Sequence, residues 1–80
     1  MARYAVGFAA SADEALRRLP IADQRRLIRA AEALGDHPRP AGCVKLAGDD
    51  GAWRKHVGQY RILYEIQDRQ VRVLSVRVGH

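Results

Sequence analysis

Hydrophobic and polar residues follow two rhythms along these 80 residues, and the places where the rhythm changes divide the chain into elements. Arg3-Tyr4-Ala5-Val6-Gly7-Phe8 puts Tyr4, Val6 and Phe8 on one side of an extended segment, the period-two mark of a half-buried strand. From Ser11 the period lengthens. Ala12, Leu16 and Leu19 recur at helical spacing behind Ser11-Ala12-Asp13-Glu14, which has the form of a capping box: the Ser oxygen takes the Glu14 amide and the carboxylate reaches back. Pro20 has no amide proton and disfavours helix in the residue before it, so this helix is expected to stop at about Leu19. A second helix follows at once, with Leu27, Ala31 and Leu34 on its apolar stripe. Arg25, Arg26 and Arg29 fall on a solvated face, and Gly35 suits a left-handed cap. The stretch Gly35-Asp36-His37-Pro38-Arg39-Pro40-Ala41-Gly42 is too rich in Pro and Gly for regular structure and reads as a connection, with His37 a turn residue.

Period two then returns. Trp53 to Val57, Tyr60 to Gln67 and Gln70 to Val78 are rich in β-branched and aromatic residues and are separated by Gly58-Gln59 and Asp68-Arg69, which predicts a three-strand meander. The order strand, helix, helix, strand, strand, strand implies one α+β domain over residues 1–80: a small antiparallel sheet with a helical hairpin packed on one face. The first strand is expected at an edge or beside the last strand.

Gly at the first position of a two-residue turn is the type II′ preference, and it fixes a register by counting. Val57 then lies opposite Tyr60, His56 opposite Arg61, Lys55 opposite Ile62, Arg54 opposite Leu63 and Trp53 opposite Tyr64. One face collects Trp53, Val57, Tyr60, Ile62, Tyr64 and Ile66 as a floor for Leu16, Leu19, Leu27 and Leu34. The other collects Arg54, His56 and Arg61. The same count across Asp68-Arg69 sets Glu65 opposite Arg72 and places Leu74, Val76 and Val78 on the basic face; an intervening bulge would exchange the two faces. Lys55 falls on the apolar side, where its stem is expected near the edge with the ammonium in solvent.

Charge adds a direction to this picture. The net charge is +5, and the excess sits in the second part of the chain: six Arg or Lys against five Asp or Glu through Pro38, and eight against four thereafter. That distribution points to a polyanion, either nucleic acid or an acidic protein segment, with basicity for solubility alone as the equal rival. Cys43 is the only cysteine, so an internal disulfide and a thiolate zinc cluster are excluded, and no His is spaced locally to activate it. Asp49-Asp50-Gly51 reads as a turn and makes a poor metal site. Neither metal nor cofactor is expected. No apolar run approaches the roughly 20 residues of a membrane span and no signal-peptide pattern opens the chain, so a cytoplasmic monomer is the expectation.

Arg54, His56 and Arg61 on one face would cradle a phosphodiester. Guanidinium forks meet its non-bridging oxygens, and His is the side chain that exchanges a proton near neutrality. Cleavage of RNA needs a base for the 2′-hydroxyl, cations for the pentacoordinate phosphorus and an acid for the departing 5′-oxygen; in this half of the chain His56 and His80 are the proton carriers available. Exposed strands also carry Arg and His for solubility alone, and the spacing by itself does not separate the two.

A family likeness runs nearly end to end. Leu19-Pro20, Pro38-Arg39-Pro40-x-Gly42, Lys45-Leu46-x-Gly48, the block Trp53-Arg54-x-His56-Val57-Gly58-x-Tyr60-Arg61-Ile62-Leu63-Tyr64-Glu65-Ile66, and Val76-Arg77-Val78-Gly79-His80 together resemble RelE/ParE-type toxins. The resemblance implies a type II toxin masked by a cognate antitoxin, monomeric alone and a hetero-oligomer with that partner. RelE-like members of the family enter the ribosomal A site and cut mRNA without metal, whereas ParE-like members poison DNA gyrase. The short helical pair and the intact basic strand motif look more like the first branch. In that branch Arg54 and His56 fall where basic residues contact or activate the scissile phosphate, Arg61 matches a phosphate-stabilising Arg, and His80 lies near a catalytic His of some relatives. Lys45, Lys55 and Arg77 are the implied RNA contacts. The departures are that the sequence stops at His80, where many relatives continue with an Arg and then a Tyr, and that Lys55 stands where relatives bury an aliphatic residue. A gyrase inhibitor, or an inactive relative that only binds an antitoxin, are the alternatives.

Overall fold

The structure is a computed structural model and describes residues 4–46 and 52–79; Asp49-Asp50-Gly51 and His80, singled out above, lie outside the described residues. The chain runs β1 (Ala5–Phe8), α1 (Ala10–Arg17), α2 (Ile21–Asp36), β2 (Val44–Lys45), β3 (Ala52–Val57), β4 (Tyr60–Gln67) and β5 (Gln70–Val78). The strands form one sheet in the order β1-β5-β4-β3-β2. The α+β expectation and the beginnings and ends of β4 and β5 hold, but the sheet is mixed, because β1 pairs parallel with β5 while the other pairs are antiparallel. The α1–α2 crossover after β1 supplies the long connection that a parallel neighbour needs. At two residues, β2 is too short to show a period.

The helix ends depart from the expected signals. Ala9 caps α1 with no side-chain hydrogen bond, and Ser11 sits inside the first turn. Its hydroxyl donates instead to the Leu74 carbonyl at 2.9 Å. Glu14 does not reach back to Ser11, because Arg18 holds it at 2.8 Å, one turn along the helix. α1 ends at Arg17, and Pro20 becomes the residue that starts α2, where its missing amide proton costs nothing. Gly35 is no left-handed cap: α2 continues through it to Asp36, and its carbonyl accepts the Tyr4 amide at 3.0 Å, fixing where β1 begins.

The core lies between the helices and one side of the sheet. Ala12, Leu16, Leu27, Ala31 and Leu34 meet Tyr60, Ile62, Tyr64, Val71, Val73 and Val76. Ile62 and Tyr64 are fully buried, each of which contributes about 1.5–3 kcal/mol of apolar transfer. The tyrosine hydroxyls are satisfied. Tyr60 donates to the Asp23 carboxylate at 2.6 Å, tying α2 to β4, and Tyr64 donates to the Pro38 carbonyl at 2.7 Å, tying down the Pro-rich connection. The Asp23 hydrogen bond raises the Tyr60 pKa; burial, aided by the neighbouring Cys43, raises that of Tyr64.

β5 corrects the sequence count. Glu65 faces Arg72 as expected, but Tyr64 faces Val73 and Leu63 faces Ser75, so Leu74 is an extra, unpaired residue. This bulge turns the rest of the strand over. Val76 goes into the core opposite Ile62, Val78 falls on the helix side opposite Tyr60, and Arg77 takes the place opposite Arg61 that the count gave to Val76. The Leu74 carbonyl is the one Ser11 satisfies.

Candidate functional site

Gly58 and Gln59 join β3 to β4, and Gly58 has φ +60°, the left-handed value that the first position of a type II′ turn requires. The register is the one counted from the sequence, with His56 opposite Arg61 and Arg54 opposite Leu63. Arg61 is in turn opposite Arg77. His56, Arg61 and Arg77 therefore form a row across three adjacent strands, with Arg54 two residues from His56 on the same open face. Directly opposed side chains in such a row have Cβ atoms about 4.5–5.5 Å apart, and like charges so placed repel.

Among the described residues nothing neutralises this row. The carboxylate on this face, Glu65, lies 3.9 Å from Arg72, and Arg54, Arg61 and Arg77 make no ion pair. The Nε of Arg61 is buried with no hydrogen-bond partner, a state that costs about 1–3 kcal/mol. Two opposed guanidiniums, a third close by and an exposed imidazole are a donor set for an anion with several oxygens.

The remaining sequence candidates stand elsewhere. Lys45 is opposite Trp53 and Lys55 opposite Ile62, both on the helix side of the sheet. Lys55 keeps its ammonium at an exposed position as expected, and from there it also donates to the Ala41 carbonyl at 3.2 Å and braces the connection. Beside it, Arg39 lies 5.4 Å over the Trp53 ring. Arg26 is exposed with Arg25 and Arg29, as expected, and lays its guanidinium beside the Gly58 turn. Sequence reasoning missed the pairing of Arg77 with Arg61, for which no residue type in β5 gives a signal. Among the described residues no three His, Cys, Asp or Glu are grouped to hold a metal ion, and no helix is long and apolar enough to cross a membrane.

Comparison with known proteins places this geometry. The family model of the ParE toxin of type II toxin–antitoxin systems matches residues 6–80. The chain belongs to the ParE toxin family. Its wider membership of the RelE/ParE superfamily, expected from the motif blocks, is borne out by solved structures. The RelBE2 toxin–antitoxin complex of Mycobacterium tuberculosis contains a chain 28% identical, aligned over 98% of this ParE-family chain and 93% of the other at a TM-score of 0.85. The archaeal RelE–RelB complex of Pyrococcus horikoshii gives 26% identity, 95% and 94% coverage and a TM-score of 0.83. The chromosomal ParDE system of P. aeruginosa shares the fold at a TM-score of 0.77, with 9% identity and 98% coverage of both chains. No curated protein matches the sequence.

Proposed function

We propose that this ParE-family toxin is a metal-independent endoribonuclease that cuts messenger RNA on the ribosome and so blocks translation. The observation that carries the reading is the row His56, Arg61, Arg77 with Arg54 beside it: donors for a phosphodiester on the open side of the sheet, with no carboxylate among the described residues to neutralise them. In the proposed reaction the substrate 2′-oxygen bonds to phosphorus as the bond to the 5′-oxygen breaks, leaving a cyclic phosphate and a free 5′-hydroxyl. Arg61 and Arg54 stabilise the added charge on phosphorus. His56 and His80 share the two proton transfers, one taking the 2′-hydroxyl proton and the other supplying the departing oxygen. Arg77 holds the RNA beside Arg61, and Lys45 and Lys55 engage flanking RNA at the other side of the sheet. In the cytoplasm an antitoxin would mask this surface until released, a reading supported by two of the similar structures being toxin–antitoxin complexes.

The second reading, inhibition of DNA gyrase without nuclease chemistry, is favoured by the matching family model, which is that of ParE toxins. Inducible expression with transcript 5′-end mapping separates the two. Cleavage within translated messages is expected, and Arg61→Ala should lower it on the order of 10²–10³-fold while the circular dichroism melt is kept. DNA breaks with intact transcripts would select gyrase, and undiminished cleavage by Arg61→Ala would discard the site.

A further inference from the structure

We propose that Gly79 is a positioning residue for Arg61, one whose missing side chain lets the main chain after β5 close over the neck of that guanidinium. The proposal rests on the reading of Arg61 as a phosphate ligand and adds how the ligand is held. Gly79 donates its amide to the Gln59 carbonyl at 2.8 Å, which pins the end of β5 against the β3–β4 turn. In that position a Cβ would lie 2.6 Å from Arg61 Nε and 2.7 Å from its Cδ, closer than real side chains approach, and it would also overlap Cγ. The backbone does not need glycine there for its dihedral freedom, since the glycines with positive φ among the described residues are Gly42 and Gly58. Space is what glycine supplies at this position.

The consequence falls on Arg61. Its Cγ, Cδ and Nε are roofed by Gly79, and Nε is the one atom of the side chain that is both buried and without a partner. A long, flexible arginine ordinarily loses rotamer freedom when it binds, and here that freedom is removed during folding. With Nε covered, an incoming phosphate meets the two Nη atoms end-on. Arg77, directly opposite, has no such roof described above it and serves as the more adaptable partner.

The test uses Gly79→Ala in the full chain, read by NMR of the arginine Nε–Hε groups and by binding of a 2′-O-methyl RNA trinucleotide, which cannot be cleaved. In the native protein Arg61 Hε should exchange with solvent roughly tenfold or more slowly than that of exposed Arg72. Gly79→Ala should abolish this protection while the Ile62 and Tyr64 amides keep theirs. It should also weaken trinucleotide binding about tenfold, yet add nothing when Arg61 is already Ala, because the two residues act through one contact. If Gly79→Ala destabilises the fold, the same logic applies to melting: the loss should vanish in the Arg61→Ala background, where the added methyl meets open space. Unchanged Hε protection, or an equal loss in both backgrounds, overturns the proposal. Native Hε protection lost as expected, but with trinucleotide binding indifferent to Arg61→Ala, overturns the phosphate role of Arg61 and with it the functional role of Gly79.

Discussion

Arg61 and Ile62 are consecutive residues of β4, and they belong to two different regimes of protein chemistry. Ile62 points under the helices, 1% exposed, among residues whose apolar contacts all reinforce one another. Arg61 points the other way, between His56 and Arg77, with an unsatisfied buried nitrogen and no counter-ion described beside it. On the covered face each residue lowers the free energy of the folded state. On the open face the same backbone holds a covered donor that goes without and charges that repel, and an anion would relieve the repulsion.

That division can be attacked from either side. The largest effect is expected from Ile62→Ala, which should cost about 2–5 kcal/mol of unfolding free energy, read from urea denaturation. If the separation of roles is sound, residual folded protein should still bind RNA normally. Tyr64→Phe should cost about 1 kcal/mol by releasing the Pro38 carbonyl. It should also change the alkaline limit. The folded pKa of Tyr64 is raised by burial, so its contribution is complete below its ordinary value of 10.0 and is lost as pH rises beyond it, where the unfolded chain gives up a proton that the folded chain keeps. Stability of the native protein should therefore fall above about pH 10, and the Phe variant should fall less steeply; identical slopes would remove Tyr64 from the account. The smallest effect on stability is expected from Glu65→Gln, less than about 1 kcal/mol, because the Arg72 pair is long and its Arg is half-exposed. By removing the carboxylate nearest the basic row it should tighten RNA binding, and weaker binding would show that Glu65 orders that face rather than opposing it.

Much of this was readable in the chain itself. The Gly58-Gln59 turn is local chemistry, and with alternation it yields the whole β3–β4 register, hence the shared face of Arg54, His56 and Arg61. The Leu and Ala stripes of both helices were legible for the same reason: burial imposes a period. What stayed hidden depends on contacts distant in sequence. Ser11 fits a capping box, yet a carbonyl 63 positions away claims its hydroxyl. Gly35 fits a helix stop, yet the Tyr4 amide arrives at its carbonyl and the helix carries on. Lys55 looks misplaced until the Ala41 carbonyl is seen above it. Leu74 cannot be recognised as supernumerary because Val73, Leu74 and Val76 are all apolar, and a run of similar side chains hides an added one. Gly79 gives no hint that its bareness serves a side chain 18 positions earlier.

The bulge at Leu74 makes the end of β5 behave like a ribbon given a half-turn. Were Leu74 drawn into the ladder instead, unbroken alternation would set Val76 opposite Arg61, turn Arg77 to the oily interior and reverse inside and outside for everything downstream. What aims Arg77 is thus the exclusion of Leu74 from the pairing, and anyone grafting this strand must keep that residue out of the ladder for the arginine to face the same way.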